Sequence, residues 1–263
     1  MNLPNEFKVM TFNLRIAGDH DGENRFLYRQ PRIRELLNNE APDVVGFQEV
    51  VDLSREWLRA EFGDRYELIG CGRNADCEGE GIPIMFRRDR FSLLALETFW
   101  LSDTPGIPGS RFENSDQSKC PRTTHIAILK PKGCEGFLRV INTHLDHEGK
   151  DARKKGLQLL REHIGENGTP SVLLGDFNAK PHFPEIAEFT ASLAELGWAD
   201  ATEGLGGTFH RYGTCNPPIK IDYIYTNCPF AGSRVIETAP ENGVYVSDHY
   251  VVTTTVTLPA ATR

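Results

Sequence analysis

Five apolar runs in this chain each end in a residue able to hold a cation or move a proton. Val172-Leu173-Leu174 breaks into Gly175-Asp176-Phe177-Asn178. Val9 to Phe12 stops at Asn13, Val44 to Phe47 at Gln48-Glu49, and Phe137 to Ile141 at Asn142-Thr143-His144. Ile221-Asp222-Tyr223-Ile224-Tyr225 is followed by Ser247-Asp248-His249 and one more apolar run. Short apolar runs bounded by turn residues read as buried strands. Asp176 and Asn178 are two apart, which in extended backbone puts both side chains on one side. Asp and Asn are also ordinary turn formers, so one such ending says little. Five of them suggest a single site assembled at the rim of a sheet core.

Glu49, Asn13 and Asp248 make an oxygen-only set. A strand-end carboxylate is costly to bury without a partner, and oxygen donors favour Mg2+ or Mn2+ over zinc. The bland alternatives are a rim salt bridge for Glu49 and a turn or cap role for Asn13. His144 and His249 are candidates for phosphate contact or proton transfer, a role that calls for a carboxylate on the far ring nitrogen. Asp222, a charge inside an apolar strand, suits His249, and Glu80 suits His144; either histidine alone reads equally as structural. Arg122 stands between a proline-rich stretch and an apolar strand, with the fork that fits phosphate oxygens. Arg73 and Asn74, in a Gly-rich loop, are lesser candidates of the same kind.

The elements that must position these groups alternate strand and helix. Phe7–Asn13 reads as a strand with Val9, Thr11 and Asn13 on one face. Arg15–Tyr28 reads as loop. Arg29–Asn39 carries the helical stripe Ile33, Leu36, Leu37, with Pro31 in its first turn. Asp43–Glu49 then completes a strand-helix-strand unit. A second helix spans Val51–Phe62, with Leu53, Trp57, Leu58 and Phe62 apolar. Strands Tyr66–Gly70 and Ile82–Phe86 flank a charged, Gly-rich loop, Phe91–Trp100 is a further strand, and Leu101–Pro121 is a long loop of the kind that is often functional. Thr123–Leu129 and Phe137–Thr143 form a hairpin, Asp151–Ile164 an amphipathic helix, and Pro184–Leu196 another. The last part reads as strands at Thr208–His210, Ile221–Tyr225, Val235–Thr238 and Tyr250–Val256, and Val256–Arg263 as a tail.

A chain of 263 residues with 39% apolar and 25% charged content fits one large soluble α/β domain, residues 1–263. No apolar run approaches the roughly 18 residues of a membrane span, and the first residues lack a signal-peptide pattern. The expected location is cytoplasmic, with no membrane and no obligate protein partner. Six cysteines show no zinc spacing and are expected as free thiols, with Cys71 and Cys77 near enough in sequence to meet. A net charge of −8 does not favour tight binding to a long polyanion.

Taken together, Thr-Phe-Asn13, Phe-Gln-Glu49, Asn-Thr-His144, Gly-Asp176-Phe-Asn178, Ile-Asp222-Tyr and Ser-Asp248-His249 resemble, in order and nearly end to end, the endonuclease/exonuclease/phosphatase superfamily. The stretches Glu80-Gly-Ile-Pro-Ile, Phe-Trp-Leu-Ser-Asp-Thr-Pro105 and Gly-Thr-Phe209 resemble its compact bacterial branch. The resemblance implies a four-layer, deoxyribonuclease I-like sandwich of two mostly antiparallel sheets with helices outside. It implies Glu49 as metal ligand with Asn13 and Asp248 beside it, and Asp176 and Asn178 positioning the attacking water and the phosphate. It also implies His249 oriented by Asp222 against the scissile phosphate, His144 paired with Glu80, and Arg122 on phosphate oxygens. One departure is Thr123-Thr124-His125-Ile126 where relatives usually carry Ala-Thr-Trp-Ala, so that His125 faces either the site or solvent.

The leading expectation is a Mg2+- or Mn2+-dependent phosphodiesterase acting on short nucleic acid or nucleotides by in-line attack of water. The second is a phosphomonoesterase on a small sugar- or inositol-phosphate-like molecule. Phe209, His210 and Tyr212 would stack on a base in the first reading, or belong to the core. A binding protein on a dead enzyme fold is the third, and the intact residue set argues against it.

Overall fold

The computed structural model describes residues 5–166 and 168–258. Among these the chain runs β1 (Glu6–Asn13), a short 3-10 helix (Asp19–Asn24), α1 (Phe26–Glu40), β2 (Val44–Gln48), α2 (Asp52–Phe62), β3 (Tyr66–Ile69), β4 (Ile84–Arg87) and β5 (Phe91–Trp100). It continues through β6 (Thr123–Pro131), β7 (Leu138–His144), α3 (Lys150–Ile164), β8 (Ser171–Asp176), α4 (Pro184–Ala194), β9 (Ala199–Asp200), β10 (Asp222–Thr226), β11 (Phe230–Ile236) and β12 (Val251–Thr257). One sheet has the order β11-β12-β1-β2-β4-β3 and the other β5-β6-β7-β8-β10-β9. Only β1/β2 and β7/β8 are parallel, each pair joined through a helix, as parallel neighbours require.

Side-chain alternation sorts each strand between two interiors. Val9, Val44, Val140, Val172 and Ile224 meet between the sheets. Their neighbours Met10, Val45 and Phe47 pack under α1 and α2, while Ile141, Leu173 and Tyr223 pack under α3 and α4. The result is the expected four-layer sandwich. Following the inner face to the strand ends reaches Asn13 on β1, Gln48 on β2, His144 on β7, Asp176 on β8 and Asp222 on β10. The inter-sheet core therefore changes from aliphatic to polar at one end.

Several sequence expectations shift. The helix expected from Arg29 begins three residues earlier, so Pro31 lies inside it rather than in its first turn. Pro31 is exposed, as is Leu27, whose carbonyl would otherwise receive the missing N–H, so water can take that carbonyl. Leu53 is 60% exposed instead of joining the buried stripe of α2. Thr208–His210 forms isolated bridges, from Phe209 to Ile219 and to His249, in place of a strand. His125 faces neither site nor solvent. It is fully buried on the inner face of β6, with Nδ1 on Thr98 Oγ1 at 2.8 Å and Nε2 on the Cys71 carbonyl at 3.3 Å. None of the six cysteines forms a disulfide. The expected tail lies, from residue 259 on, outside the described residues.

Candidate active site

His144, Asp176 and Asp222 stand side by side because β7, β8 and β10 are adjacent and in register: His144 opposite Asp176, and Asp176 opposite Asp222. Asn13 and Gln48 face each other in the same way on the other sheet. Gln48 bridges the layers, its Nε2 donating to Asn142 Oδ1 at 2.8 Å, while Asn142 Nδ2 donates to the Phe47 and Ile82 carbonyls. A Cβ at Gly46 would meet Asn142 Oδ1 at 2.7 Å, so glycine there admits the inter-sheet amide.

Glu49 is one residue past the inner-face parity and should point outward. A left-handed φ of 60° turns it back into the site. Asn178, two residues beyond Asp176 and on the same side, also has a left-handed φ, 50°, while Phe177 between them is buried under the helices. Such conformations cost a non-glycine residue roughly 1–2 kcal/mol. They are held by hydrogen bonds: Glu49 Oε2 accepts the Ile16 N–H at 2.9 Å, and Asn178 Nδ2 donates to the Leu145 carbonyl at 3.0 Å.

Asn13 Nδ2 donates to both Glu49 Oε1 and Asp176 Oδ2 at 3.0 Å, and its Oδ1 accepts the Arg15 N–H. The side chain therefore brackets two carboxylates rather than offering an oxygen to a cation, which revises its expected part in the metal set. Arg15 clamps Asp21 through two nitrogens at 2.9 and 3.0 Å and lies within 4 Å of Glu49 and Asp248. Behind it, Arg29 is fully buried and donates to the carbonyls of Leu14, Arg15, Asn24 and Val246, tying the exit of β1 to the segment before Asp248. Ser247 Oγ reinforces that link by donating to the Asn13 carbonyl at 2.7 Å.

The two histidines carry opposite protonation states. Burial alone would lower His249, but the Asp222 charge and its hydrogen bond at 2.9 Å, with Asp176 and Asp248, raise it to about 10. Burial also lowers His144, and the charges of Arg122, Arg73 and His249 push it the same way, so it is neutral. Its expected partner, Glu80, is 3.8 Å from Nδ1, too long for a hydrogen bond, because Glu80 binds Arg73 at 2.6 Å. His144 Nδ1 and Arg122 Nε are buried without a hydrogen bond, and Arg122 Nε is ion-paired with Asp146 at 3.5 Å. Arg122 Nη2 meets His147 Nδ1 at 2.7 Å.

Burial raises Asp176 to about 7, helped by the Asp222 charge and opposed by His249. Asp248 and Glu80 are raised as well, first by burial and then by the Glu49 charge. This excess of negative charge suits a divalent cation. Asp176, Asp222 and His249 lie within 4.8 Å of one another, yet a cationic His249 has no lone pair to give a metal. The oxygen donors of Glu49 and Asp248, on either side of the Arg15 guanidinium, fit a hard cation better.

Glu49, Glu80, His144, Asp176, Asp248 and His249 line one cavity of about 600 Å3, walled further by Arg73, His147, Phe209, Arg211 and Tyr212, with Asn13 and Asp222 behind its surface. Tyr212 Oη donates to Asp21 Oδ2 at 3.0 Å, pinning the 208–219 loop to the segment after β1. That loop turns through three successive left-handed residues, Arg211 (φ 47°), Tyr212 (φ 53°) and Gly213 (φ 79°). Sequence reasoning missed Arg15, Asp21, Arg29 and Arg211. Arg29 binds backbone carbonyls, Asp21 binds Tyr212 far along the chain as well as Arg15, and Arg211 is placed by its turn; no local apolar pattern announces any of these.

The fold agrees with the comparisons. A structure from Bacteroides vulgatus, described as an endonuclease/exonuclease/phosphatase, aligns with 28% identity and a TM-score of 0.88, covering 97% of this chain and 99% of that one. Mannosyl-6-phosphatase Bt3783 of Bacteroides thetaiotaomicron VPI-5482 aligns with 26% identity and a TM-score of 0.82, covering 94% and 98%. D. rerio TDP2 with single-stranded DNA product shares the fold at 19% identity and a TM-score of 0.72, covering 95% and 98%. No curated protein sequence matches. The sequence model of the Endonuclease/Exonuclease/phosphatase family matches residues 10–249, which takes in every strand-end group of the cavity, and the chain belongs to that family.

Proposed function

We propose that this chain is a divalent-metal-dependent phosphoesterase that hydrolyses a small phosphorylated molecule by in-line attack of water. The carrying observation is the 2.9 Å pairing of His249 with Asp222, which favours the cationic ring, beside Asp176 and in the same cavity as the Arg122 guanidinium. That is a cationic pocket for a phosphoryl group next to a carboxylate able to orient water. Asp176 and Asn178 align the attacking water, and Asp176, raised to about 7, takes its proton. His249 stabilises the charge on the equatorial oxygens, Arg122 forks onto them, and neutral His144 hydrogen-bonds on the leaving side. Glu49 and Asp248 would hold Mg2+ or Mn2+, with Asn13 keeping Glu49 in place. The bound cation would supply Lewis-acid neutralisation of phosphate charge.

The size of the cavity, about 600 Å3, is that of a small-molecule site, and its rim is cross-linked by Tyr212–Asp21 and Arg73–Glu80. This supports the monoester reading ahead of a long nucleic acid, as does similarity to a mannosyl-6-phosphatase. A diester reading on a nucleotide or short strand keeps one specific support. The half-buried Phe209 ring, 4.9 Å from the His249 ring, offers a face for a base. The test is hydrolysis of p-nitrophenyl phosphate and bis(p-nitrophenyl) phosphate side by side, with Mg2+ or Mn2+ and with EDTA. Faster metal-dependent turnover of the monoester is expected. Preference for the diester would promote the nucleotide reading, and turnover that ignores EDTA would break the metal assignment.

A further inference from the structure

Four arginines line the cavity, and three are engaged by neighbours. Arg15 is clamped by Asp21, Arg73 by Glu80, and Arg122 lies against His147 and Asp146. Among the described residues, the Arg211 side chain has no hydrogen bond, ion pair or ring contact. It is nevertheless displayed by a tightly constrained turn. Arg211, Tyr212 and Gly213 are all left-handed, and a Cβ on Gly213 would meet Tyr245 Oη at 2.3 Å. The backbone N–H groups of His210 and Arg211 both donate to the Asp248 carbonyl at 3.0 Å. His210 is buried, stacks on Tyr250 with ring centroids 4.2 Å apart, and accepts the Gly213 N–H on Nδ1.

Strain held this firmly beside a site calls for a use. The Tyr212–Asp21 bond accounts for Tyr212 but leaves Arg211 without a purpose. Arg211 is fixed at its backbone to Asp248 and free at its guanidinium, and the chain is acidic, so opposite charge is at hand elsewhere. We infer that Arg211 is a specificity residue that binds a second anionic group of the substrate, a phosphate or a carboxylate, carried on the part of the molecule that leaves. The preferred substrate is then a small phosphoester with one more anion. This rests on the phosphoesterase reading above and narrows its substrate class.

The experiment compares substrates that differ by the second anion. Fructose 1,6-bisphosphate is set against fructose 6-phosphate for a phosphate, and 3-phosphoglycerate against glycerol 3-phosphate for a carboxylate. The wild type is expected to favour the doubly anionic member of one pair about tenfold in kcat/KM. In Arg211→Ala that ratio should fall to near one through KM rather than kcat, and Arg211→Lys should restore part of it. Thermal melting checks that the turn survives. Calorimetric binding of pyrophosphate against orthophosphate, with the same variants, separates this inference from the catalytic one. An Arg211-dependent preference for pyrophosphate without any hydrolysis would retain the site and overturn the phosphoesterase. Hydrolysis with ratios that Arg211→Ala leaves unchanged, or wild-type ratios near one in both pairs, would overturn the role of Arg211.

Discussion

Replacing Asp222 by Asn tests how the site holds its charge. The substitution keeps an oxygen at 2.9 Å from His249 Nδ1 but removes the negative charge behind it. Burial already pulls His249 down, and Asp222 is the first of the groups that lift it to about 10. With only Asp176 and Asp248 left to do the lifting against burial, His249 titrates lower, and a fall to one unit below an assay pH of 7.5 would leave roughly a tenth of the molecules cationic. Turnover at that pH should drop by at least about tenfold, before any loss of ring orientation. Asp176 moves with it, because after burial the Asp222 charge is what raises it to about 7. Both limbs of the pH profile should therefore slide towards acid. The wild-type kcat/KM should rise through about 7 and fall towards 10, whereas the Asp222→Asn optimum should lie below the wild-type one. The assay is phosphate release from p-nitrophenyl phosphate between pH 5 and 10 at saturating Mg2+. A variant profile that is merely scaled down, with its alkaline limb still near 10, would refute the reasoning.

Three other perturbations probe separate parts. His125 is buried and held down to about 4, chiefly by desolvation. Because its folded value lies below the unfolded 6.5, its stability is full above 6.5 and is lost as pH falls towards 4, by about 3 kcal/mol in all. Urea unfolding at pH 7.5 and 4.5 should show a larger acid loss for wild type than for His125→Gln, and equal losses would count against it. Arg122→Lys keeps the charge and loses the fork, so kcat/KM should fall about 10–100-fold; a change under twofold would remove Arg122 from the phosphate. Asp176→Asn should abolish turnover with an unchanged melting temperature, and near wild-type turnover would reassign the base.

What could be read in the sequence followed from period two. Once β1, β7, β8 and β10 were recognised as apolar strands, Asn13, His144, Asp176 and Asp222 had to share an inner face. A charge such as Asp222 inside an apolar strand also had to find a partner, and His249 is that partner. Glu49 breaks the parity, and only its left-handed backbone brings it in. Glu80 stays 3.8 Å from His144 because Arg73, seven residues from Glu80, takes the carboxylate. Arg29 looks like a solvent-facing helix residue, yet it satisfies four carbonyls in the interior. Tyr212 reaches Asp21 across 191 residues. Contacts of that kind depend on how the sheets dock, which strand patterns do not encode.

The order of strands has a consequence for how activity arrives during synthesis. β5 to β10 make up the whole of one sheet in a single uninterrupted stretch, whereas the other sheet opens with β1 to β4 and closes only with β11 and β12. β12 inserts between β11 and β1, and Asp248 and His249 immediately precede it. A nascent chain can complete one layer early, but its reacting centre stays open until β12 docks against β1. Ribosome-bound chains halted before Asp248 would therefore carry nearly all of the cavity's residues and none of its cationic histidine.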